Sequence, residues 1–366
     1  MKIAEWLHAL YPPENNQYWG SFQPDRVAEY LATATIDSAT LDNLLKRASG
    51  EQEKRIITVL TRATLAHEKS RRSDMSKRGQ RDLTAALNGP RRLHMETHLA
   101  VTKELSSPTE DVRGASDIAV RLLESGLKAF TDDGNQSYLI DPAAALGSYA
   151  NRLFLLSYWL DVAGQPEKAL TEGRRALEKY RVLTEENDSP RRFLLGVVLN
   201  RVGRLAVKAG EMGEALSLNL EALAIFRSLP GEDSSVLGLS VATSLREVGL
   251  HLSQSRRHDE GLNAGSEALA TFSELEQENP NHSRDVMRSL AALSLMWYAR
   301  GGLRRALKFA GESTQEYYKV PPSERASLNE YMSTVLGMKV MMLDEVGCTK
   351  EAEETRSEIA EIADFD

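Results

Sequence analysis

A small residue recurs along this chain at a nearly constant interval, and this repeat constrains the fold more than any other feature. The recurring positions, separated by 46, 46, 45 and 46 residues, are Ala169, Ala215, Gly261, Ala306 and Ala352. Five residues before each stands Gly164, Gly210, Arg256, Gly301 or Gly347, and sixteen residues before each stands Leu153, Leu199, Leu245, Leu290 or Leu336. Chains with periods of roughly 20 to 50 residues form stacked arrays of one structural unit. The interval therefore predicts five consecutive copies of such a unit.

Each unit is predicted to consist of two helices joined by a tight turn. Glycine after a helix readily adopts the left-handed conformation that ends the helix, and the small residue that follows lets the second helix approach the first. A second alanine, seven residues later, lets the next helix approach in the first three units, at Ala176, Ala222 and Ala268. Alanine and leucine carry most of the apolar content of a chain that is 42% hydrophobic and 27% charged. This composition favours helix over strand, so we expect an all-α protein whose units stack to bury their apolar faces.

The order of apolar and small residues within one unit resembles the tetratricopeptide repeat. In the second unit these positions are Leu199, Val202, Gly203, Gly210, Ala215 and Ala222. The family's basic period is about 34 residues, and the longer period here is similar to that of the kinesin-light-chain-like branch. The extra residues fall in turns rich in proline, glycine, asparagine and serine, at 186–190, 229–235, 279–284 and 320–324. The resemblance covers roughly 145–366 and implies a right-handed superhelix of stacked helical hairpins.

Two units depart from this pattern. The third unit has Arg256 in place of the turn glycine and Gly261 in place of the alanine, and the fifth unit has Lys339 at an expected core position. We expect these two units to pack less regularly than the others.

The N-terminal residues 1–68 do not show the repeat and read as short helices. Within them a set of residues resembles the segment that follows the nucleotide-binding module in actinobacterial-type STAND signalling ATPases with C-terminal tetratricopeptide repeats. The matching residues are Trp6, Leu7, Leu10, Tyr11, Pro12, Tyr18, Trp19, Gly20, Ser21, Gln23, Pro24, Asp25, Arg26, Glu29, Tyr30, Leu31 and 60–63. The resemblance covers roughly 5–66 and implies a helical adaptor, the remnant of a winged-helix-like region, at 1–68.

The phosphate-binding loop of those ATPases is absent from this sequence. The pattern G-x-x-x-x-G-K-[ST] does not occur, and the chain contains no Gly-Lys dipeptide, so the backbone cradle and lysine that hold phosphate are missing. We therefore expect no nucleotide and no other cofactor on this chain. Two alternatives follow: the nucleotide-binding module lies upstream in a longer native chain, or the protein is a stand-alone relative that kept the sensor half. The chain begins inside the matched segment, which favours the first alternative.

Residues 69–144 are interpreted as degenerate helical hairpins that bridge the adaptor and the repeats at 145–366. Their first part, the basic run 69–81, carries six lysines and arginines, against Asp74 within it and Asp82 directly after it. Such a run can contact phosphate or an acidic partner, but it has no interleaved aromatic residues for base stacking. We favour a solvated helix end or loop.

Composition and motifs argue against several other functions. The net charge of −8 disfavours nucleic acid as a partner, and no apolar run approaches the roughly 18 residues that cross a membrane. His94 and His98 stand four apart, but no third metal ligand accompanies them, so no metal site is predicted. Cys348 is the single cysteine, which favours the reducing cytoplasm. No catalytic constellation is present, and we expect that the chain is not an enzyme.

The concave groove of the array is the predicted binding site, because in a tetratricopeptide array the first helix of each unit lines the inner surface. The repeat register places eight candidate ligand-binding residues there: Asn200, Arg201, Arg204, Lys208, Arg246, Tyr158, Arg288 and Tyr298. Arginine and asparagine donors suit a carboxylate or an extended peptide backbone. The lysine and asparagine clamp of chaperone-binding members is not reproduced. The alternative is that these residues are only solvated.

These observations lead to two functional hypotheses. The first is a protein- or peptide-binding sensor or scaffold module of a STAND-type signalling ATPase, in which ligand binding relieves inhibition of an upstream nucleotide-binding module. The second is a stand-alone tetratricopeptide adaptor that bridges two proteins. The segment 5–31 distinguishes them, because a free scaffold has no need of it.

Overall fold

The computed structural model describes residues 38–69, 73–88, 116–132, 142–184, 189–231, 235–321 and 328–364, with positions 93, 97, 100, 101 and 325. Within these residues the backbone forms fourteen α-helices, one 3₁₀ turn at Pro280–His282 and no β-strand. The all-α prediction is confirmed. The segment 5–31, which carries most of the resemblance to STAND ATPases, lies outside the described residues, as do His94 and His98.

The described residues fall into two compact units. One comprises those up to 140 together with 158–164, and the other comprises 141–157 together with 165–366. The predicted division at 68 and 144 stays a prediction.

The first compact unit contains four described helices: α1 Ser38–Arg47, α2 Gly50–Lys69, α3 Ser73–Asn88 and α4 Ser116–Asp132. Helix α2 begins at a capping box, in which the backbone N–H of Ser49 donates to Gln52 Oε1 at 2.9 Å and the Gln52 N–H donates to Ser49 Oγ at 3.4 Å. Buried leucines and isoleucine form its core, at Leu41, Ile57, Leu60, Leu83 and Leu123.

Ten helices follow in the described part of the chain from residue 142, and consecutive pairs form five hairpins. The first helices of the hairpins are α5 Pro142–Val162, α7 Ser189–Lys208, α9 Ser235–Gln254, α11 Ser283–Ala299 and α13 Asn329–Glu345. The second helices are α6 Pro166–Leu183, α8 Met212–Ser228, α10 His258–Glu278, α12 Leu303–Lys319 and α14 Thr349–Asp364. From α6 to α14 each helix packs against the next, as expected for stacked hairpins.

The turn inside each hairpin is the same left-handed helix end. After α7, Gly210 has φ +81°, its N–H donates to Val207 O at 2.9 Å, and the Glu211 N–H donates to Ala206 O at 2.8 Å. This pair of bonds is a Schellman motif, which satisfies carbonyl groups at the end of a helix. The equivalent residues of the other hairpins also have positive φ: Gly164, Arg256, Gly301 and Gly347.

Arg256 adopts this conformation although it is not glycine. It has φ +62°, and the turn keeps its bonds, from the Arg256 N–H to Ser253 O at 3.0 Å and from the Arg257 N–H to Leu252 O at 2.9 Å. The repeat thus imposes the turn on a residue that disfavours it.

Replacing Arg256 with glycine is therefore expected to raise the free energy of unfolding by about 1 kcal/mol. A non-glycine residue in the left-handed region costs roughly 1–2 kcal/mol, and the greater freedom of glycine in the unfolded chain cancels part of the gain. Urea denaturation followed by circular dichroism measures the effect. The reciprocal variant Gly210→Arg serves as the control and is expected to be destabilised. An unchanged or lower midpoint for Arg256→Gly would contradict the prediction.

The two helices of the third hairpin approach each other very closely. A Cβ atom built on Gly261 of α10 would lie 2.7 Å from the carbonyl oxygen of Gly249 on α9, and one built on Gly249 would lie 2.8 Å from Gly261 O. The other hairpins hold a fully buried alanine at the position of Gly261, at Ala169, Ala215, Ala306 and Ala352. The third unit thus differs from the others in the closeness of its two backbones, and the expectation that it packs less regularly stays a prediction.

First helices of neighbouring hairpins lie closer together than second helices do. Helices α7 and α9 each contact the next first helix directly, whereas the closest backbone contacts between second helices are sparser. Long side chains span the wider gap: Arg181 to Glu221 at 2.7 Å, Arg227 to Glu267 at 2.6 Å and Tyr318 to Glu358 at 2.7 Å. We use "inner face" below for the surface carried by the first helices α7, α9, α11 and α13.

Candidate functional site

All eight predicted binding residues lie on first helices. Tyr158 lies on α5, the residues from Asn200 to Lys208 on α7, Arg246 on α9, and Arg288 and Tyr298 on α11. Tyr158 belongs to the stretch 158–164, which groups with the N-terminal compact unit. The structure therefore places all eight on first helices and seven of them in the second compact unit, and their role as ligand-binding residues stays a prediction.

Two of these residues connect neighbouring first helices. Asn200 is 9% exposed and donates from Nδ2 to Ser244 Oγ on α9 at 2.8 Å. Arg201 is 5% exposed and donates from Nη2 to the carbonyl oxygen of Ser157 on α5 at 3.0 Å. Both side chains are thus used to hold successive hairpins together, whereas Arg204 and Lys208 are exposed further along the same helix.

A second group of charged residues lies where the third, fourth and fifth hairpins meet. We call Arg246, Glu247, Arg288 and Tyr331 the arginine cluster. Arg246 is 9% exposed, with Cζ 5.4 Å from the ring centre of the fully buried Phe272 and Nη2 3.4 Å from Glu247 Oε1. Arg288 lies over the Tyr331 ring, with Cζ 5.6 Å from its centre. The cluster therefore joins residues from α9, α11 and α13.

The two guanidinium groups of the cluster repel each other in a partly desolvated place. Burial lowers the pKa of Arg288, and the positive charge of Arg246 lowers it further. Burial also raises the pKa of Tyr331, against the opposite effect of both arginines. Removing like charges from water is costly unless a counter-charge accompanies them. The cluster thus has the electrostatics of an anion-binding site.

Two N–H donors of the cluster are buried without an acceptor. Among the described residues, no hydrogen-bond partner is found for Nη1 of Arg246 or Nε of Arg288. Buried polar groups in folded proteins are nearly always hydrogen-bonded, and an exception calls for a physical reason. An acceptor supplied by a ligand would be such a reason.

Sequence reasoning identified Arg246 and Arg288 but missed Tyr331. The equivalent repeat positions in the preceding hairpins are Asp285 and Ser240, so neither the register nor the residue type marks Tyr331 as special. Tyr298 was predicted with the arginines, but its hydroxyl donates to Glu345 Oε2 at 3.2 Å. That hydrogen bond is the first cause of the raised pKa of Tyr298. This pair connects α11 and α13.

Apolar side chains are exposed on the same helices. Leu295 on α11 is 38% exposed and Met341 on α13 is 48% exposed. Both occupy the repeat position that Arg204 has on α7. The inner face therefore offers both charged donors and apolar surface, the combination with which proteins bind extended peptides.

Other site types receive no support from the described residues. No group of three or more histidine, cysteine, aspartate or glutamate side chains there could hold a metal ion. Cys348 is an exposed thiol in the turn between α13 and α14. None of the described helices is long and apolar enough to cross a membrane.

The N-terminal compact unit contains an open cavity of about 870 Å³ between α3 and α4. Charged and polar side chains line it: Asp74, Lys77, Gln80, Arg81, Thr84, Asp117 and Arg121. Part of the basic run 69–81 thus lies on helix α3, and its positive charges line the cavity together with Asp74 and Asp117. The mixture of both signs on exposed side chains indicates a solvated surface.

Comparison with known proteins supports the fold assignment. No protein-family model and no curated protein matches the sequence. Among solved structures, the chain is similar to BtubC (BKLC) from P. vanneervenii, with 18% identity over 68% of this chain and 91% of that chain and a TM-score of 0.51. At this level of identity the likeness shows the fold alone. The array of helical hairpins is of the tetratricopeptide type, as the repeat predicts.

Two further solved structures match with lower TM-scores. A Rap protein complexed with competence and sporulation factor is 15% identical over 98% of this chain and 90% of that chain, with a TM-score of 0.46. A STAND protein with a tetratricopeptide repeat sensor from Pyrococcus horikoshii is 15% identical over 94% of this chain and 56% of that chain, with a TM-score of 0.44. The N-terminal resemblance to STAND ATPases stays a prediction.

Proposed function

We propose that this chain is a protein-interaction module whose inner face binds an extended segment of a partner protein. The observation that carries the proposal is the arginine cluster, in which two buried donors have no acceptor within the described part of the chain, on a face that also exposes Leu295 and Met341. Contacts with Phe272, Glu247 and Tyr331 stabilise each guanidinium group, but they give no acceptor to the two buried donors among the described residues. Binding an anionic partner does give one.

Two settings for this module are proposed, and they are the hypotheses that the sequence left open. In the first, the module is the sensor of a STAND-type ATPase, and partner binding favours the active state of a nucleotide-binding module upstream. A ligand shifts such an equilibrium only if it binds one state more tightly than the other. In the second, the module is a stand-alone adaptor between two proteins. For either form we propose the reducing cytoplasm, which suits a chain whose single cysteine cannot form an intramolecular disulfide.

The binding face is tested by site-specific crosslinking. A library of random displayed peptides is selected on the chain, and the selected peptides are crosslinked to variants that carry a photo-reactive amino acid at one position. Leu295 on the first helix α11 and Leu220 on the second helix α8 are matched positions, since they are 38% and 43% exposed. We expect crosslinks at position 295 and few at 220. Crosslinking that is equal at both positions, or strongest at 220, would refute binding on the inner face.

The size of the native protein distinguishes the sensor of a longer ATPase from the stand-alone adaptor. An immunoblot of its own cells with an antibody to 145–366 is expected to show a band well above 40.6 kDa if the sensor hypothesis is correct. A band at 40.6 kDa would favour the adaptor.

A further inference from the structure

We propose that the arginine cluster binds the side-chain carboxylate of one aspartate or glutamate in the partner segment, so that the module is selective for acidic peptides. The inference rests on the proposed function and names the chemistry of its ligand. It follows from three properties of the cluster, which are its unused donors, its local charge and its position across three hairpins.

The unused donors match a carboxylate in number and type. Nη1 of Arg246 and Nε of Arg288 lack acceptors among the described residues, and they belong to two guanidinium groups close enough to lower the pKa of Arg288. A carboxylate has two oxygens and accepts one hydrogen bond from each guanidinium. Such charge-assisted bonds are roughly twice as strong as neutral ones. Neutral amide or hydroxyl ligands would leave the repulsion between the two arginines uncompensated.

The local charge favours a ligand with a single negative charge. Arg246 and Arg288 contribute two positive charges and Glu247 contributes one negative charge. Arg284 and Asp285, the other charged groups that act on Arg288, have opposite signs. One carboxylate therefore neutralises the cluster, whereas a doubly charged phosphate would leave a net negative charge beside Glu247 and Asp285.

The position of the cluster lets the ligand connect three repeats. Arg246 lies on α9, Arg288 on α11 and Tyr331 on α13. Arg288 keeps part of its side chain exposed, so we expect a carboxylate to approach the two guanidinium groups from that side. Arg246 is largely withdrawn from water, which strengthens its interaction with an opposite charge.

The test uses peptides selected from the random library that crosslink at position 295. We expect that these peptides share an aspartate or glutamate, and that its replacement by asparagine or glutamine weakens binding about tenfold or more, as for the loss of hydrogen bonds to a charged group. Arg246→Gln and Arg288→Gln are expected to have the same effect on the acidic peptide. These two arginine variants are expected to have little effect on the peptide that carries asparagine or glutamine, because the change in the peptide and the change in the protein remove the same interaction.

Three variants complete the design. Arg227→Gln on α8 is the matched control, since it removes an arginine that pairs with Glu267 between second helices, and we expect unchanged affinity. Arg246→Lys and Arg288→Lys keep the charge but lose the forked geometry, and they are expected to bind more weakly than the native chain. Circular dichroism of each variant verifies that it is folded.

The outcomes separate the inference from the proposed function. If peptides crosslink at position 295 but the affinity depends neither on an acidic residue nor on Arg246 and Arg288, the inference is wrong and the proposed function stands. If a phosphopeptide binds more tightly than its aspartate counterpart through the same arginines, the preference for a single charge is wrong. If no selected peptide crosslinks at position 295, the proposed function fails and the carboxylate site fails with it.

Discussion

Replacing Gly261 with alanine is expected to lower the free energy of unfolding by about 3 kcal/mol, although four other hairpins carry alanine at this position. The new Cβ would lie 2.7 Å from Gly249 O and 3.1 Å from the backbone nitrogen of Ser253. Both of these atoms belong to the backbone of α9, so no side-chain rotation removes the clash and the two helices must separate. Adding a methyl group to a tightly packed core costs typically about 1–3 kcal/mol. Urea denaturation measures the change.

Gly311→Ala is the matched control for this variant. Gly311 lies within the second helix α12, and a Cβ built there meets no atom within 4 Å. Alanine is favoured over glycine in a helix by about 1 kcal/mol, so this variant is expected to be as stable as the native chain or more stable. If Gly261→Ala proves no less stable than Gly311→Ala, the close approach of α9 and α10 is not a property of the protein.

A double variant tests whether the same contact between α9 and α10 requires glycine at both positions 249 and 261. Gly249→Ala places its Cβ 2.8 Å from Gly261 O, so either single substitution forces the same separation of the helices. We expect the cost of Gly249→Ala with Gly261→Ala to be clearly smaller than the sum of the two single costs. Additive costs would indicate two independent clashes.

The repeat interval predicted the helices and turns of the array well, because these depend on local residue preferences. Glycine at the helix end and alanine at the crossing each act within one hairpin. The two departures of the third hairpin have structural consequences that the repeat pattern does not reveal. Arg256 keeps the turn through its backbone bonds, and Gly261 finds a partner in Gly249, which stands twelve positions earlier in the sequence. No single position signals that such a pair is in contact.

The candidate site was only partly predictable from the sequence. The repeat register correctly placed the chosen residues on first helices, but exposure along a helix depends on how the next hairpin packs. Arg201 and Arg204 are three positions apart on α7, yet the first bonds to the Ser157 carbonyl and the second is exposed. Tyr331 joins the arginine cluster through the stacking of α13 on α11, a contact between units that the pattern within one unit does not contain.

Helices α7 and α8 cross at Gly203 and Asn219. We expect this crossing to tolerate the two residues of the first hairpin when both are introduced together, but not when either is introduced alone. A Cβ built on Gly203 would lie 2.7 Å from Oδ1 of the fully buried Asn219. In the first hairpin the same two positions hold Ser157 and Gly173, and the serine hydroxyl donates to the Phe154 carbonyl at 2.7 Å. The larger residue of the pair thus lies on the second helix in the second hairpin and on the first helix in the first hairpin.

We therefore expect Gly203→Ser alone to lower the free energy of unfolding by about 2 kcal/mol, since serine and Asn219 compete for one space. Asn219→Gly alone is expected to cost about 1–2 kcal/mol, from the void and from glycine in a helix. The double variant reproduces the pair of the first hairpin and is expected to be within about 1 kcal/mol of the native chain. It also removes a buried amide that has no hydrogen-bond partner among the described residues.

Urea denaturation of the four proteins forms a double-mutant cycle that measures the coupling between the two positions. A large favourable coupling would mean that the crossing of α7 and α8 accepts the larger residue on either helix, provided that the facing residue is small, and that the first two hairpins are interchangeable in this respect. If the double variant is as unstable as the sum of the single ones, the helix separation at this crossing is fixed by its neighbours. Those neighbours include Gly196, whose Cβ would lie 2.6 Å from the Phe226 ring on α8, and the spacing of the array would then be set hairpin by hairpin.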